Sequence, residues 1–277
     1  MNQMVQKIGV KGYARESIAV VGLLLTYFPT FIWMWGRWFA EDSYYSHGIL
    51  VPFVSIFLAW QNKDEVKNIP REESPWGFRL IVLGIVVHLF SSAFRVYFTS
   101  GFSLLIVMTG FVLYFFGERV LRKMAFPLAF LIFMVPLPMV VVTNMSFYLK
   151  LFVANIATMF LNNMRIAAVC EGSIIKMPNA HVIVNDVCSG LRSLISLAAL
   201  ASVFAYWMRA SLAKKTGLFL AAIPIAIFTN VCRVLLLSVI SEIWGVQYAA
   251  GWIHDVSGFM VFIFAFYFMY AVGKLIE

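Results

Sequence analysis

Long apolar runs separated by short charged loops are the feature that most constrains how this chain can fold. Apolar residues make up 62% of the 277 positions and charged residues 12%, whereas soluble domains carry roughly 45–50% and about 25%. A backbone in hydrocarbon has no water to bond to, so a crossing segment must be a helix or part of a closed barrel. The pattern predicts an all-α polytopic membrane protein, a single domain over residues 1–277 embedded in the lipid bilayer.

The lengths of the runs predict about eight transmembrane helices. Such a helix needs about 20 mainly apolar residues, with some shorter exceptions. A further stretch, Pro138–Asn162, is interrupted by several asparagines and by Lys150, so we expect it to lie along the interface or to enter and return. The predicted spans are Ile18–Phe39, His47–Trp60, Phe78–Phe94, Phe102–Phe116, Met124–Pro136, Cys188–Met208, Gly217–Val239 and His254–Val272.

The basic residues predict the orientation. With a cytoplasmic N-terminus, fourteen of the 21 Lys and Arg residues lie in loops on the inside, as the positive-inside rule requires. This agreement holds if Pro138–Asn162 does not cross. Because the basic residues set the orientation in the membrane, the net charge of +8 does not indicate a nucleic-acid partner. The fourteen are Lys7, Lys11, Arg15, Lys63, Lys67, Arg71, Arg79, Arg119, Arg122, Lys123, Arg209, Lys214, Lys215 and Lys274.

Three polar residues in the last third fall near span ends that this orientation places at the outer face. Cys188 opens a predicted helix, where the helix dipole favours a thiolate. Arg233 lies inside a predicted span, where a charge costs roughly 2.5–3.5 kcal/mol on insertion scales and usually faces a bundle interior. His254 opens the last span and carries the usual proton carrier at neutral pH. Together they predict a cysteine-type acyl-transfer site.

Other polar residues could support this site. Arg192 follows Cys188 by one helical turn, Asn230 precedes Arg233 by one turn and could orient its guanidinium, and His47 is also on the predicted outer side. The sequence contains no HExxH, paired CxxC, GxGxxG or Walker motif, so we expect neither a metal nor another cofactor.

Each of these residues also has a plainer interpretation. Cys188 could be a buried structural cysteine or pair with Cys170 in a disulfide, Arg233 could snorkel to the surface, and His254 could be an interfacial histidine. The segment before Cys188 contains two short β-type runs, Ile174–Met177 and His181–Val184, around Pro178-Asn179-Ala180. This pattern predicts a small outer-face β-hairpin, and an ordinary connecting loop is the alternative.

Taken together, the motifs resemble those of the exosortases and archaeosortases, over most of the chain. The matching residues are CSGLRSL at 188–194, the Asn-x-x-Arg of Asn230 and Arg233, His254, and YSHGILVP at 45–52. Archaeosortases typically have Arg at the third catalytic place, so His254 points to the bacterial exosortase branch. Asp186 stands where Glu is expected more often, which leaves the subtype open.

The resemblance implies a cysteine protease or transpeptidase of the cytoplasmic (inner) membrane, with both termini cytoplasmic and the active site at the outer, periplasmic face. Its substrates would be exported proteins with a C-terminal tripartite sorting tail of the PEP-CTERM type, released to water or to an amine-bearing acceptor. The implied catalytic part is about residues 164–277. Cys188 would be the nucleophile, Arg233 the essential cation and His254 the third catalytic residue, with Arg192, Asn230, His47 and Asp186 in support.

Two other functions remain open from the residues alone. A membrane acyltransferase that uses a histidine would not need Cys188. A transporter or scaffold that binds an anion at Arg192 and Arg233 would keep its activity without Cys188 and His254.

Overall fold

The chain forms two compact units, which are described separately. The computed structural model describes residues 2–41, 43–185 and 188–276; the side chains of residues 2–13, 250 and 255 lie outside the description. Unit 1 comprises Met1–Ala40 and Ser46–Pro136, and unit 2 comprises Glu41–Tyr45 and Leu137–Glu277. The predicted catalytic part therefore lies within unit 2.

Unit 1 is helical throughout its described elements. Its first span is broken: the segments Ala14–Thr26 and Phe28–Trp38 meet at an angle of 58°. Pro29 explains the break, because proline has no N–H for the preceding turn and its ring clashes with the carbonyl four residues earlier. The helices are α1 (Asn2–Thr26), α2 (Phe28–Trp38), α3 (Leu50–Gln61), α4 (Lys63–Lys67), α5 (Pro75–Ala93), α6 (Tyr97–Phe116) and α7 (Glu118–Phe130), with 3₁₀ turns at Ser46–Ile49 and Leu131–Met134.

Buried hydroxyl and imidazole groups join three of these helices. Ser100 on α6 makes hydrogen bonds to Thr30 on α2 at 2.6 Å and to Nδ1 of His88 on α5 at 2.8 Å. Tyr27, between α1 and α2, bonds Ser103 one turn further along α6 at 2.9 Å. Interhelical bonds of this kind contribute on average about 0.6 kcal/mol each in a membrane. We read the cluster as the polar contact that sets α2 against the α5–α6 pair.

Unit 2 combines long helices with a small sheet. The three strands are β1 (Val169–Glu171), β2 (Ile174–Lys176) and β3 (His181–Ile183). They are antiparallel in the order β1-β2-β3, and Ile174 of β2 pairs with Ile183 of β3. The predicted hairpin is therefore confirmed, and the third strand, β1, was not predicted. The elements are α8 (Met139–Asn163), β1 (Val169–Glu171), β2 (Ile174–Lys176), β3 (His181–Ile183), α9 (Leu191–Trp207), α10 (Leu212–Trp244), α11 (Val246–Ala250) and α12 (Trp252–Ile276).

The prediction of about eight spans is not confirmed. Five of the described helices are long and apolar enough to cross a membrane, or six if the bent pair in unit 1 counts as one span. The predicted spans His47–Trp60, Met124–Pro136 and Cys188–Met208 correspond to shorter elements. The first is an apolar helix over Ser46–Gln61, the second is split between α7 and a 3₁₀ turn, and the third is the 17-residue α9.

The stretch predicted to lie along the interface or to enter and return is the continuous 25-residue helix α8. The chain therefore does not reverse direction within it, and its length and composition are sufficient for a span. Its C-terminal half packs in one buried cluster with Cys188 and with Val231 and Val234 of α10; the α8 residues of that cluster are Val153, Ala154, Ala157 and Leu161. Cys188 therefore lies at the end of unit 2 where the C-terminal half of α8 packs against α10.

Candidate active site

Cys188, Arg233 and His254 converge at that end of unit 2. Cys188 Sγ lies 3.1 Å from Nε2 of His254, and Nη2 of Arg233 lies 3.2 Å from the same nitrogen. Cys188 and Arg233 are buried, and His254 is half-buried. The three residues come from the segment before α9, from the C-terminal half of α10 and from the first turn of α12, so helix packing alone brings them together.

Two hydrogen-bonding groups converge on Nε2 of His254. A guanidinium can only donate hydrogen bonds, so Nε2 is the acceptor in its contact with Arg233. The thiol of Cys188 competes for the same lone pair, because Nε2 has only one. The thiol and the imidazole therefore lie within the distance that proton transfer between them requires.

Arg233 is held in place by α12. Its Nε donates to Ser257 Oγ at 3.2 Å and its Nη2 donates to the backbone carbonyl of His254 at 3.2 Å. A Cβ on Gly258 would lie only 3.3 Å from Nη2. Ser257 and Gly258 were not predicted from the sequence, although both lie one turn after His254 and on its face of the helix.

The backbone at Cys188 is held by a second contact from α10. Asn230 Nδ2 donates to the carbonyl of Cys188 at 2.8 Å. Gly190 adopts φ +84°, and a Cβ there would lie 2.8 Å from Cγ of Asn230, so the position requires glycine. Asn230 was expected to be able to orient the guanidinium of Arg233; its hydrogen bond instead holds the backbone of Cys188.

Cys188 was predicted to open a helix, and the structure contradicts this. The helix α9 begins at Leu191, after the left-handed Gly190, and Cys188 lies three residues earlier. The helix dipole therefore acts on the thiol only from a distance. Burial raises the pKa of Cys188 above its ordinary value, and the positive charge of Arg233 opposes that rise.

A cavity of about 380 Å³ opens beside the thiol, within the usual size of ligand sites. Cys188 and His254 line it together with β3, and residues of α10 and α11 complete its wall. The sulfur of Cys188 therefore borders a space large enough for a short peptide segment.

The remaining predicted residues are less closely tied to this centre. Arg192 is half-buried in the first turn of α9, and among the described contacts no hydrogen bond joins its side chain to the three converging residues. His47 belongs to unit 1, and Asp186 lies outside the described residues. All three stay predictions. The cysteines at 170, 188 and 232 are free thiols, so the alternative disulfide is not formed.

Comparison with known proteins agrees with the motifs. A model of the transmembrane exosortase family (Exosortase_EpsH) matches residues 35–271. The chain belongs to the transmembrane exosortase family. Comparisons with curated proteins and with solved structures gave no match. Membership of this family supports a membrane protein with a general transpeptidase or protein-sorting role, and the helices of both units fit an integral membrane protein.

Proposed function

We propose that this exosortase is a cysteine endopeptidase or transpeptidase that cleaves the C-terminal sorting tail, of the PEP-CTERM type, of exported proteins. The observation that carries the proposal is the 3.1 Å contact between Cys188 Sγ and His254 Nε2 at the wall of a cavity. A nucleophile within hydrogen-bond distance of an acceptor imidazole is the arrangement that thiol acyl transfer needs.

The proposed reaction begins with transfer of the Cys188 thiol proton to Nε2 of His254. The thiolate attacks the scissile carbonyl carbon, and the imidazolium then protonates the leaving amine, so that a thioester remains on Cys188. Water or an amine-bearing acceptor attacks this thioester and releases the exported protein. In both steps His254 alternates between base and acid.

Arg233 has a specific role in this proposed reaction. Once Nε2 has taken the thiol proton it can no longer accept a hydrogen bond, so the Nη2 donor of Arg233 is released as negative charge develops on the substrate oxygen. Donors aimed at a developing oxyanion typically contribute about 10²–10³-fold in rate. Backbone N–H groups near the start of α9 would assist.

The proposed location is the cytoplasmic (inner) membrane, with both termini in the cytoplasm and the site at the outer face. The loop that joins α9 to α10, at residues 208–211, lies at the opposite end of these two helices from Cys188. Arg209, Lys214 and Lys215 in or beside that loop support its placement inside. The placement of this loop follows from α9 and α10 alone, whether or not α8 crosses the membrane.

Co-expression with tagged exported proteins that carry candidate sorting tails tests the proposal. We expect wild-type protein to remove the tail and Cys188→Ala to leave it intact with unchanged membrane insertion. Cys232→Ala is the matched control, because this exposed thiol of α10 lies outside the site, and it should process normally. The mass of the new C-terminus separates hydrolysis from transfer. Normal processing by Cys188→Ala would refute the thiol mechanism and favour an acyltransferase.

A further inference from the structure

The cavity beside Cys188 follows an edge of the small sheet. Five consecutive residues, 181–185, line it. Successive side chains of a strand point to opposite faces, so a cavity against one face would be lined by alternate residues. A consecutive run indicates instead that the edge of β3 borders the cavity.

That edge presents main-chain groups without a neighbouring strand. The sheet order ends at β3, and among the described residues no further strand pairs with it. Val184 N–H donates to Ser173 at 2.8 Å and the carbonyl of Ala180 accepts from Met177 at 2.9 Å, so even-numbered residues face β2. Because main-chain groups alternate sides along a strand, those of His181 and Ile183 point into the cavity.

The opposite wall is a stripe of α10. Val234, Leu237 and Ser241 lie on one face of the helix and line the cavity. The helix rises about 10 Å from Val234 to Ser241. The strand segment from His181 to Val184 extends about the same distance, so the two walls are of similar length. The carboxylate of Glu242 accepts from the backbone N–H of Asn179 at 3.1 Å and from its Nδ2 at 3.0 Å, which ties the far end of the hairpin to α10.

We propose that the exported polypeptide adds to β3 as a fourth strand, in extended conformation. This inference rests on the proposed function and deepens it. Main-chain groups of His181 and Ile183 form hydrogen bonds to every second residue of the substrate. Val234 and Leu237 contact the apolar side chains of the substrate residues in between. Strand addition of this kind derives affinity from the main chain and selectivity from the side-chain pockets.

The path of the cavity along α10 indicates the direction of the added substrate strand. It runs from Cys188, beside Asn230, toward Glu242 and the C-terminal end of α10, away from the basic loop proposed to be inside. The part of the substrate outside the membrane is the exported protein, on the acyl side of the scissile bond. Its chain runs toward Cys188 and is therefore parallel to β3.

Peptide probes test the strand on the wild-type protein. Acetylated apolar tripeptide chloromethyl ketones alkylate the Cys188 sulfur, which forms a C–S bond as chloride leaves and the thiol proton passes to His254. We expect single N-methylation of the probe's amides to slow labelling about tenfold at alternate amides and less than about twofold at their neighbours. Equal effects at every amide, or no effect at any, would overturn the proposal.

A proline scan of the sheet edges gives an independent measurement. Ile183→Pro removes an N–H that faces the cavity and leaves the pairing with β2 intact. Cys170→Pro is the matched control: Cys170 pairs with Ile175, whose main chain faces β3, so its own N–H points away from β2 at the opposite edge. We expect Ile183→Pro to slow the peptide probe about tenfold, Cys170→Pro to leave it unchanged, and iodoacetamide to label Cys188 equally in both. Equal probe rates for the two variants would contradict the inference.

Failure of this inference is distinguishable from failure of the proposed function. If processing of sorting tails requires Cys188 but N-methylation of the probe shows no alternation, strand addition is wrong and the thiol mechanism stands. If Cys188→Ala still processes tails, the proposed function is wrong whatever the probes show.

Discussion

The buried cation Arg233 makes contacts with several groups of the site. It contacts Nε2 of His254, the backbone carbonyl of the same histidine and the hydroxyl of Ser257. A charge placed within an apolar helix is expensive unless such partners surround it. The same guanidinium also favours the thiolate form of Cys188, against the effect of burial.

The pH dependence of Cys188 labelling should depend on this charge. Burial raises the pKa of the thiol and Arg233 lowers it, so removing the charge moves the pKa further upward and reduces the thiolate fraction at any fixed pH. Arg233→Gln, which keeps donors but no charge, should shift the alkylation profile to higher pH, while Arg233→Lys should stay closer to wild type. Iodoacetamide rates in a background without Cys170 and Cys232 measure this. An unchanged profile in Arg233→Gln would contradict the assignment.

Gly190 should tolerate no side chain. Gly190→Ala adds both left-handed backbone strain of about 1–2 kcal/mol and a Cβ that lies 2.8 Å from Asn230. We expect tail processing to fall at least about tenfold, because displacing Asn230 releases the carbonyl of Cys188 and a small displacement can cost about 10²-fold. Gly172→Ala is the control, since Gly172 has φ +64° but nothing within 4 Å. Equal loss in both variants would show that backbone strain alone matters.

At the scale of elements, glycine sets how closely α5 and α6 pack. A Cβ on Gly77 would lie 2.3 Å from the backbone nitrogen of Tyr114, and one on Gly110 would lie 2.9 Å from the carbonyl of Gly77. Small residues allow helix backbones to approach in a membrane, where no hydrophobic effect drives helices together. This pair is therefore held by close packing and by the polar contacts of Ser100.

Gly77→Ala should accordingly destabilise unit 1. The added methyl meets backbone, which cannot rotate away, so overpacking of about 1–3 kcal/mol is expected. Gly22→Ala is the matched control on α1, with nothing within 4 Å of its Cβ, and should be neutral. Thermal unfolding in detergent measures both. A melting temperature of Gly77→Ala equal to that of Gly22→Ala would show that α5 and α6 can move apart without cost.

For the whole molecule, the proposed orientation can be tested with single cysteines. In a background without native cysteines, Lys176→Cys in β2 should react with a membrane-impermeant maleimide on intact cells, and Lys214→Cys should react only after lysis. The reason is that the sheet and the basic loop lie at opposite ends of α9 and α10. The reverse labelling pattern would place the site in the cytoplasm and contradict a role in processing exported proteins.

The sequence alone was sufficient for the membrane class, the family and the hairpin before Cys188. These are local or compositional properties: apolar runs follow from the cost of exposing backbone to lipid, and the hairpin follows from two β-type runs around Pro178-Asn179. Motif residues also carried the family, since CSGLRSL at 188–194, Asn230 with Arg233, and His254 are short local patterns that can be read without a structure.

Only the tertiary structure decided how these residues are arranged and held. The bond from Asn230 to the carbonyl of Cys188, the support of Arg233 by Ser257 and the open edge of β3 each join segments far apart in the chain. The start of α9 at Leu191 depends on Gly190, whose left-handed backbone faces Asn230 across the packing of α10. Periodicity and composition report what one segment prefers, whereas these contacts depend on which segments pack together.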